Sequence, residues 1–110
     1  MSNLLLNSLL GDTLGVNRGR VAIAMPDATY TLGVTEYVCE TIEFTGTGVM
    51  TGTHDAIFPV NDGVFKCIDN QADHSVVCKV TGQTGVTIAA GKSAIIRGTA
   101  TDYKRVTADA

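Results

Sequence analysis

The second half of the chain alternates short apolar runs with turn signals at close intervals. Between residues 55 and 106 the runs IFPV, VFKCI, SVVCKVT, VTIAA, SAIIR and DYKRV are separated by segments rich in Gly, Asn and Asp. This spacing is typical of antiparallel strands joined by tight turns. Alternation predicts that Val76, Cys78 and Val80 share one buried face, and that Val86 and Ile88 share another. We also expect Ile57, Phe65, Ile95 and Val106 to be largely buried.

The first half is less regular. Residues 21–25 and 28–32 predict two strands around the turn Pro26-Asp27. Residues 34–44 alternate with mixed faces, which predicts two strands or one strand bent by a bulge. Residues 45–53 alternate Gly with Thr and predict a flexible hairpin or bulge. We therefore expect an all-β fold over residues 21–110, either an antiparallel β-sandwich or a small barrel.

Six leucines crowd the first fourteen residues. Ser2 or Asn3 as N-cap and Gly11 as terminator predict a short helix, and the Gly-rich residues 15–20 predict a linker. Residues 1–20 then form an arm that packs on its own β domain or docks on a neighbouring subunit. Soluble monomers rarely tolerate such an exposed apolar cluster, so we expect docking. The candidate partner-binding residues are Leu4, Leu5, Leu6, Leu9, Leu10 and Leu14.

Composition narrows the class of partner. A chain of 110 residues with 5% aromatics and no Trp builds only a lean aliphatic core, which favours a homo-oligomer, with a trimer favoured. The net charge of −3 and the scattered basic residues argue against nucleic acid as a partner. The leucine stretch is too short and too broken to predict a membrane span.

Candidate chemistry is sparse. Three cysteines, Cys39, Cys67 and Cys78, without a CxxC pair predict reduced core residues and assembly in a reducing cytoplasm. His54 and His74 each neighbour an aspartate, but nothing in the sequence brings a histidine, an aspartate and Ser75 or Ser93 together as a catalytic triad. Oxygen ligands are offered by Asn61, Asp62, Asp69, Asn70 and Asp73.

Those oxygen ligands match no calcium-loop spacing and are typical turn residues. The Gly-rich residues 45–53 lack the strand–helix junction and the Lys-Ser/Thr pair of a phosphate-binding loop. The sequence therefore predicts no catalytic residue, no cofactor site and no metal site.

A resemblance suggests the setting. The pattern FPV…VFKCIDNQ…VVCKVTGQTGVTIAAGKSAIIRGTATDYKRV resembles a β module of virion proteins of tailed phages. There an apolar-Pro step precedes a strand and an Asn-bearing loop, and a V-K-V-x-G-x-x-G-V hairpin follows. The resemblance implies a small capsid decoration or cement protein that stabilises the outer shell. Its partner would be the major capsid protein or another virion protein, and its location the capsid surface after assembly in the host cytoplasm.

Other functions stay open. A tail-fibre, spike or head–tail adaptor component would present residues 45–53 and 69–74 as exposed tips to a receptor or partner. A carbohydrate-binding sandwich is disfavoured because sugar platforms use exposed aromatics, which are few here. An enzyme is the least favoured alternative.

Overall fold

The computed structural model describes residues 19–110, which contain nine strands and one short helix. These are β1 (Arg20–Ala24), β2 (Tyr30–Thr31), α1 (Val34–Tyr37), β3 (Thr41–Thr45), β4 (His54–Ile57), β5 (Phe65–Asn70), β6 (Val76–Lys79), β7 (Val86–Ile88), β8 (Ser93–Gly98) and β9 (Tyr103–Arg105). Strands take 41% of the described residues and helix 4%, so the prediction of a mostly β fold is confirmed.

The strands form two sheets, and both are mixed. The five-stranded sheet has the order β1-β3-β5-β8-β9, and the four-stranded sheet has the order β2-β4-β6-β7. The first three strands of each sheet are parallel, and the remaining strands are antiparallel. The prediction of antiparallel sheets was therefore wrong for four of the seven strand pairs. The sheets do not close into a barrel.

The parallel part arises because the chain coils between the two sheets. β1, β3 and β5 lie in one sheet, while β2, β4 and β6, which follow each of them, lie in the other. Arg20 lies opposite Thr41, and Thr41 lies opposite Cys67, so each coil returns the chain to a position beside its previous strand. After β6 the coiling stops. β7 folds back on β6, and β8 and β9 complete the five-stranded sheet.

The hairpin between β6 and β7 agrees with its sequence signal. Gly82 and Gly85 have φ values of 81° and 69°, in the left-handed region that favours glycine. A Cβ on Gly85 would lie 2.5 Å from the carbonyl oxygen of Cys78, so a side chain does not fit there. The Asp102 carboxylate accepts the Gly85 N–H at 2.8 Å and ties this turn to the chain segment before β9.

The inward side chains of both sheets build one hydrophobic core. Val76, Cys78, Val86 and Ile88 are buried in it, which confirms four of the predicted core positions. Val80 packs against the core and is half-buried. Ile57 is also only half-buried, so its predicted large burial was wrong, because Ala56 takes the buried side of β4. Three aromatic rings fill one end: Phe58 packs edge-on against Tyr37, at 6.0 Å between centroids, and against Tyr103, at 5.2 Å.

Three predicted core residues lie outside instead. Phe65, Ile95 and Val106 are 56%, 37% and 48% exposed, so their predicted burial was wrong. On β5 the buried positions are Lys66, Ile68 and Asn70, and on β8 they include Ala94 and Ile96. Because alternate side chains point to opposite faces of a strand, Phe65 and Ile95 lie on the outer face.

Residues 34–44 also differ from their prediction of two strands or a bulged strand. Residues 34–37 form α1, and only Thr41–Thr45 is a strand. The Glu36 carboxylate accepts the Gly33 N–H at 2.8 Å and the Tyr30 hydroxyl at 2.6 Å. These bonds satisfy the start of the helix, so they favour a helical turn over extended chain.

Candidate docking surface

An apolar face lies on the outside of the five-stranded sheet. We define it by the side chains of Phe65, Cys67, Ile95 and Val106. Cys67 and Ile95 lie directly opposite each other on β5 and β8. The Val106 N–H donates to the carbonyl of Ile95 at 2.8 Å, which brings the end of the chain alongside. Sequence positions 65 to 106 thus converge on one exposed surface.

A groove opens next to this face. It encloses about 750 Å³, and Phe65, Cys67 and Ile95 line it together with Val38 and Tyr37. Val38 follows α1 and is itself 38% exposed. The groove therefore extends the apolar face toward the helix.

The floor of the groove is held by Lys66. This side chain is buried, and its Nζ donates to the carbonyl of Cys39 at 2.8 Å and to that of Tyr37. The same ammonium lies 4.5 Å from the centroid of the Tyr37 ring, a cation–π distance. Lys66 therefore fixes the end of α1 to β5, so the groove is preformed.

Polar groups border the apolar face on one side. Arg20 Nη2 lies 2.8 Å from Glu43 Oε1 and 3.1 Å from Asp69 Oδ2. Gln71 and Ser93 donate to Asp69 Oδ1 at 2.6 and 3.0 Å. The hydrogen bond from Gln71 is the largest cause that lowers the pKa of Asp69, and the bonds from Ser93 and Arg20 add to it. Asp69 is therefore charged at neutral pH.

Basic residues border the other side. Phe65 lies opposite Arg97 on β8, and Arg97 lies opposite Lys104 on β9. An apolar centre inside a polar rim is the arrangement that protein interfaces share. The outer face of this sheet shares that arrangement and is therefore a candidate docking surface.

A second groove lies on the other side of α1. It encloses about 450 Å³ at the ends of β2, β4 and β6, and Tyr37 lines it as well. Val34 and Val60 lie at this groove and are 76% and 53% exposed. Its lining is mostly apolar, and it completes the apolar surface around the helix.

Tyr37 is fixed between the two grooves by a hydroxyl pair. Its hydroxyl lies 2.6 Å from that of Tyr103, which donates to the carbonyl of Pro59 at 2.7 Å. Burial, and then the hydrogen bond to Tyr37, raise the pKa of the Tyr103 hydroxyl. Tyr103 therefore stays protonated, and the two hydroxyls act as a structural link.

The histidine with a carboxylate partner is His54, and the partner is Asp27. His54 Nε2 lies 2.7 Å from Asp27 Oδ1, and the backbone N–H and hydroxyl of Thr51 donate to the same carboxylate at 2.9 and 3.0 Å. Asp55, the neighbour in sequence, pairs instead with Lys79 at 3.3 Å. Thr51 bonds to the carboxylate and not to the imidazole, so the three residues lack the order of a catalytic triad. They join the chain segment before β2 to the start of β4.

The other candidate residues are separated in the fold. Ser93 bonds to Asp69, and the His74 carbonyl accepts a bond from Asn70. Asn70 is fully buried, and its amide also donates to Ile88 O at 2.9 Å and accepts the Ala72 N–H at 3.0 Å. Within residues 19–110 no three potential metal ligands gather at one place.

The three cysteines are free thiols. Cys67 and Cys78 lie in different sheets, because the chain changes sheets between β5 and β6. Cys39 and Cys78 are buried, whereas Cys67 is half-buried on the apolar face. The sequence predicted a core position for Cys67, and this was wrong, because Lys66 and Ile68 take the buried side of β5.

The loops predicted as tips lie side by side. The Gly48 N–H, in the loop after β3, donates to the Asp73 carboxylate, in the loop after β5. The six candidate leucines, Leu4, Leu5, Leu6, Leu9, Leu10 and Leu14, lie outside the described residues.

No helix in the described part of the chain is long and apolar enough to cross a membrane. Comparisons of the chain with protein-family models, with curated proteins and with solved structures returned no match.

Proposed function

We propose that this chain is a virion structural protein, a small capsid decoration or cement protein of a tailed phage that binds the outer shell. The observation that carries the proposal is the apolar face. Phe65, Ile95 and Val106 point away from a sheet whose inner side already packs a core. Because each is already about half buried, burying the rest on a partner contributes about 1 kcal/mol per side chain.

The mechanism is passive. A protein that binds only the closed shell stabilises that state by mass action. A stable interface buries roughly 800 Å² per partner, so the apolar face would form its centre and the charged rim its border. The rim of Arg20, Glu43 and Asp69 would fix the orientation on the major capsid protein. The net charge of −3 favours the outer surface over the packaged DNA.

A homo-oligomer, with a trimer favoured, fits the same role. Several copies of the apolar face on one shell site raise the overall affinity through effective concentration. The six leucines of the N-terminal residues would add to such an assembly, unless they belong to the chain's own fold.

A tail-fibre, spike or adaptor component is the second candidate. One observation favours it: the exposed loops after β3 and β5 are joined by the Gly48–Asp73 bond and form one presented surface. In that role these loops, and not the apolar face, would contact a receptor or partner.

A matched pair of variants distinguishes the decoration role from the tail-fibre, spike or adaptor role. Phe65→Ser removes the largest side chain of the apolar face, and Val49→Ser removes a similarly exposed apolar side chain from the loop after β3. Binding is measured by cosedimentation with shells assembled from the major capsid protein. We expect Phe65→Ser to weaken binding roughly tenfold or more, and Val49→Ser to bind like the wild type. Loss of binding in Val49→Ser alone would contradict the decoration role and favour the loop surface.

A further inference from the structure

The outer face of the five-stranded sheet has two ends of opposite charge. Its outward rows across β5 and β8 are Asp69–Ser93, Cys67–Ile95 and Phe65–Arg97. Outward side chains recur at every second residue, so Asp69 lies two rows, about 13 Å, from the row that holds Arg97. The apolar centre of the face is therefore flanked by a carboxylate at one end and a guanidinium at the other.

The charges at the two ends are not balanced within the chain. At the negative end the carboxylates of Glu43 and Asp69 share the guanidinium of Arg20, at 2.8 and 3.1 Å, so two negative charges meet one positive charge. At the positive end Lys104 lies beside Arg97. No hydrogen bond or ion pair within residues 19–110 involves the side chain of either cation. The face thus retains a negative end and a positive end.

This charge pattern is complementary to itself. If two copies stack face to face about a two-fold axis along the Cys67–Ile95 row, the rotation brings the negative end of each copy over the positive end of the other. An axis along the strands would bring like charges together instead. Packed sheets lie about 10 Å apart, a gap that a carboxylate and a guanidinium bridge when they extend from opposite sheets. Because a two-fold interface uses the same patch on both copies, each pair contains the contact between Asp69 and Arg97 twice.

The outer face of the four-stranded sheet differs in its charges. Asp55 and Lys79 lie 3.3 Å apart and neutralise each other within the chain. The exposed Thr31 and Thr87 on the same sheet are uncharged. Pairing through the five-stranded sheet therefore satisfies charges that pairing through the other sheet does not.

We propose that the free chain pairs with a second copy through this face, with Asp69 of each copy meeting Arg97 of the other across the Cys67–Ile95 row. The pair covers Phe65 and Ile95, and exposed apolar side chains that cluster in this way mark protein–protein contacts. The inference concerns the free chain and does not rest on the proposed function. If the chain also docks on a shell as a trimer, the shell and the second copy compete for one face, and the pair separates before docking.

Sedimentation velocity on the full chain, over a series of concentrations, tests the proposal. We expect a reversible equilibrium between one copy and two. Arg97→Asp and Asp69→Arg should each raise the dissociation constant at least tenfold, because each places like charges opposite each other in both contacts of the pair. Thr87→Asp, which adds a carboxylate to the outer face of the other sheet, should leave the constant unchanged.

Mixing the two variants separates a contact between copies from a structural effect inside one chain. In a mixed pair one contact joins Asp69 to Arg97 as in the unmodified chain. The other contact joins the two introduced side chains, which again carry opposite charges. An equimolar mixture should therefore pair about as tightly as the unmodified chain, although neither variant does so alone. A loss of stability inside one chain cannot produce this recovery.

Other outcomes overturn the proposal. A chain that stays single over the whole series, or that sediments as a trimer, would show that no such pair forms. A mixture that pairs no better than its components would show that Asp69 and Arg97 do not meet. If Asp69→Arg fails to fold, Arg97→Asp decides alone, and an unchanged dissociation constant rejects the pair. Binding to shells is measured separately, so its absence in a chain that pairs would count against the proposed function only.

Discussion

Cys67 on β5 lies directly opposite Ile95 on β8, and both side chains lie on the outer face of the five-stranded sheet. This pair marks the place where the parallel coil meets the antiparallel end of the sheet. The half-buried Cys67 thiol lies in the centre of the apolar face, so its reactivity can be used to detect docking.

The three thiols should react in two stages. Under native conditions a thiol reagent should label Cys67 first, because Cys39 and Cys78 are buried and burial raises the pKa of the Cys78 thiol. Titration under denaturing, non-reducing conditions should find all three. Cys67→Ser should remove the fast phase, and particle binding should slow it. Two missing thiols in the denatured chain would instead indicate a disulfide.

Two neighbours on β8 test the assignment of faces. Ile96 is fully buried, whereas Ile95 is 37% exposed. Ile96→Ala should lower the free energy of unfolding by about 2–5 kcal/mol, since it leaves a cavity in the core. Ile95→Ala should lower it by less than about 1 kcal/mol. Urea denaturation measures both, and equal losses would mean that the register of β8 is wrong.

Asn70 should be essential for stability although it lies at a strand end. Its side chain is fully buried and makes three hydrogen bonds, to the backbone of His74, Ile88 and Ala72. Asn70→Ala should therefore cost about 2–4 kcal/mol, at roughly 1 kcal/mol per bond plus the penalty for unsatisfied groups. The exposed Asn61→Ala is the control. Similar unfolding curves for both variants would show that the Asn70 network contributes little.

The Asp27 cluster should make stability depend on pH in the acid range. The N–H of Thr51, followed by His54 and the Thr51 hydroxyl, lowers the pKa of Asp27 below its ordinary value of 3.8. The folded chain therefore favours the charged form, which stabilises it above that value, and this contribution is lost as the pH falls through the folded pKa.

Asp27→Asn should accordingly melt at a lower temperature than the wild type at pH 7. The difference should shrink as the pH falls below the ordinary value of 3.8 and through the lowered pKa of folded Asp27, because both chains then carry a neutral group. Thermal melts across this range measure it. A difference that stays constant down to pH 2 would show that the charge of Asp27 is not what matters.

The strands were largely predictable, but their pairing was not. Alternation located β5 to β8 within a few residues, and the two glycines located the hairpin after β6. Neighbouring strands in the parallel part are separated by a full coil of the chain, because the chain changes sheets after each strand. Turn signals between consecutive strands do not tell whether the next strand pairs with the last one or crosses to the opposite sheet.

The apolar face was missed for a related reason. β5 carries Phe65 and Cys67 on one side and Ile68 on the other, so both of its faces are partly apolar. The sequence pattern alone therefore does not show which face is buried. What selects the inner face is the tertiary fit of Lys66 and Asn70, whose hydrogen-bond partners are distant in sequence. Polar side chains are mostly exposed in folded proteins, and only the fold provides the carbonyl groups that satisfy these two in the interior.

A reconstruction of the particles that carry this chain tests most directly whether the apolar face binds a shell. We predict copies distributed over the capsid surface, with Phe65, Ile95 and Val106 turned toward the shell protein. Copies confined to one vertex or to the tail, or copies with this face turned to solvent, would contradict it.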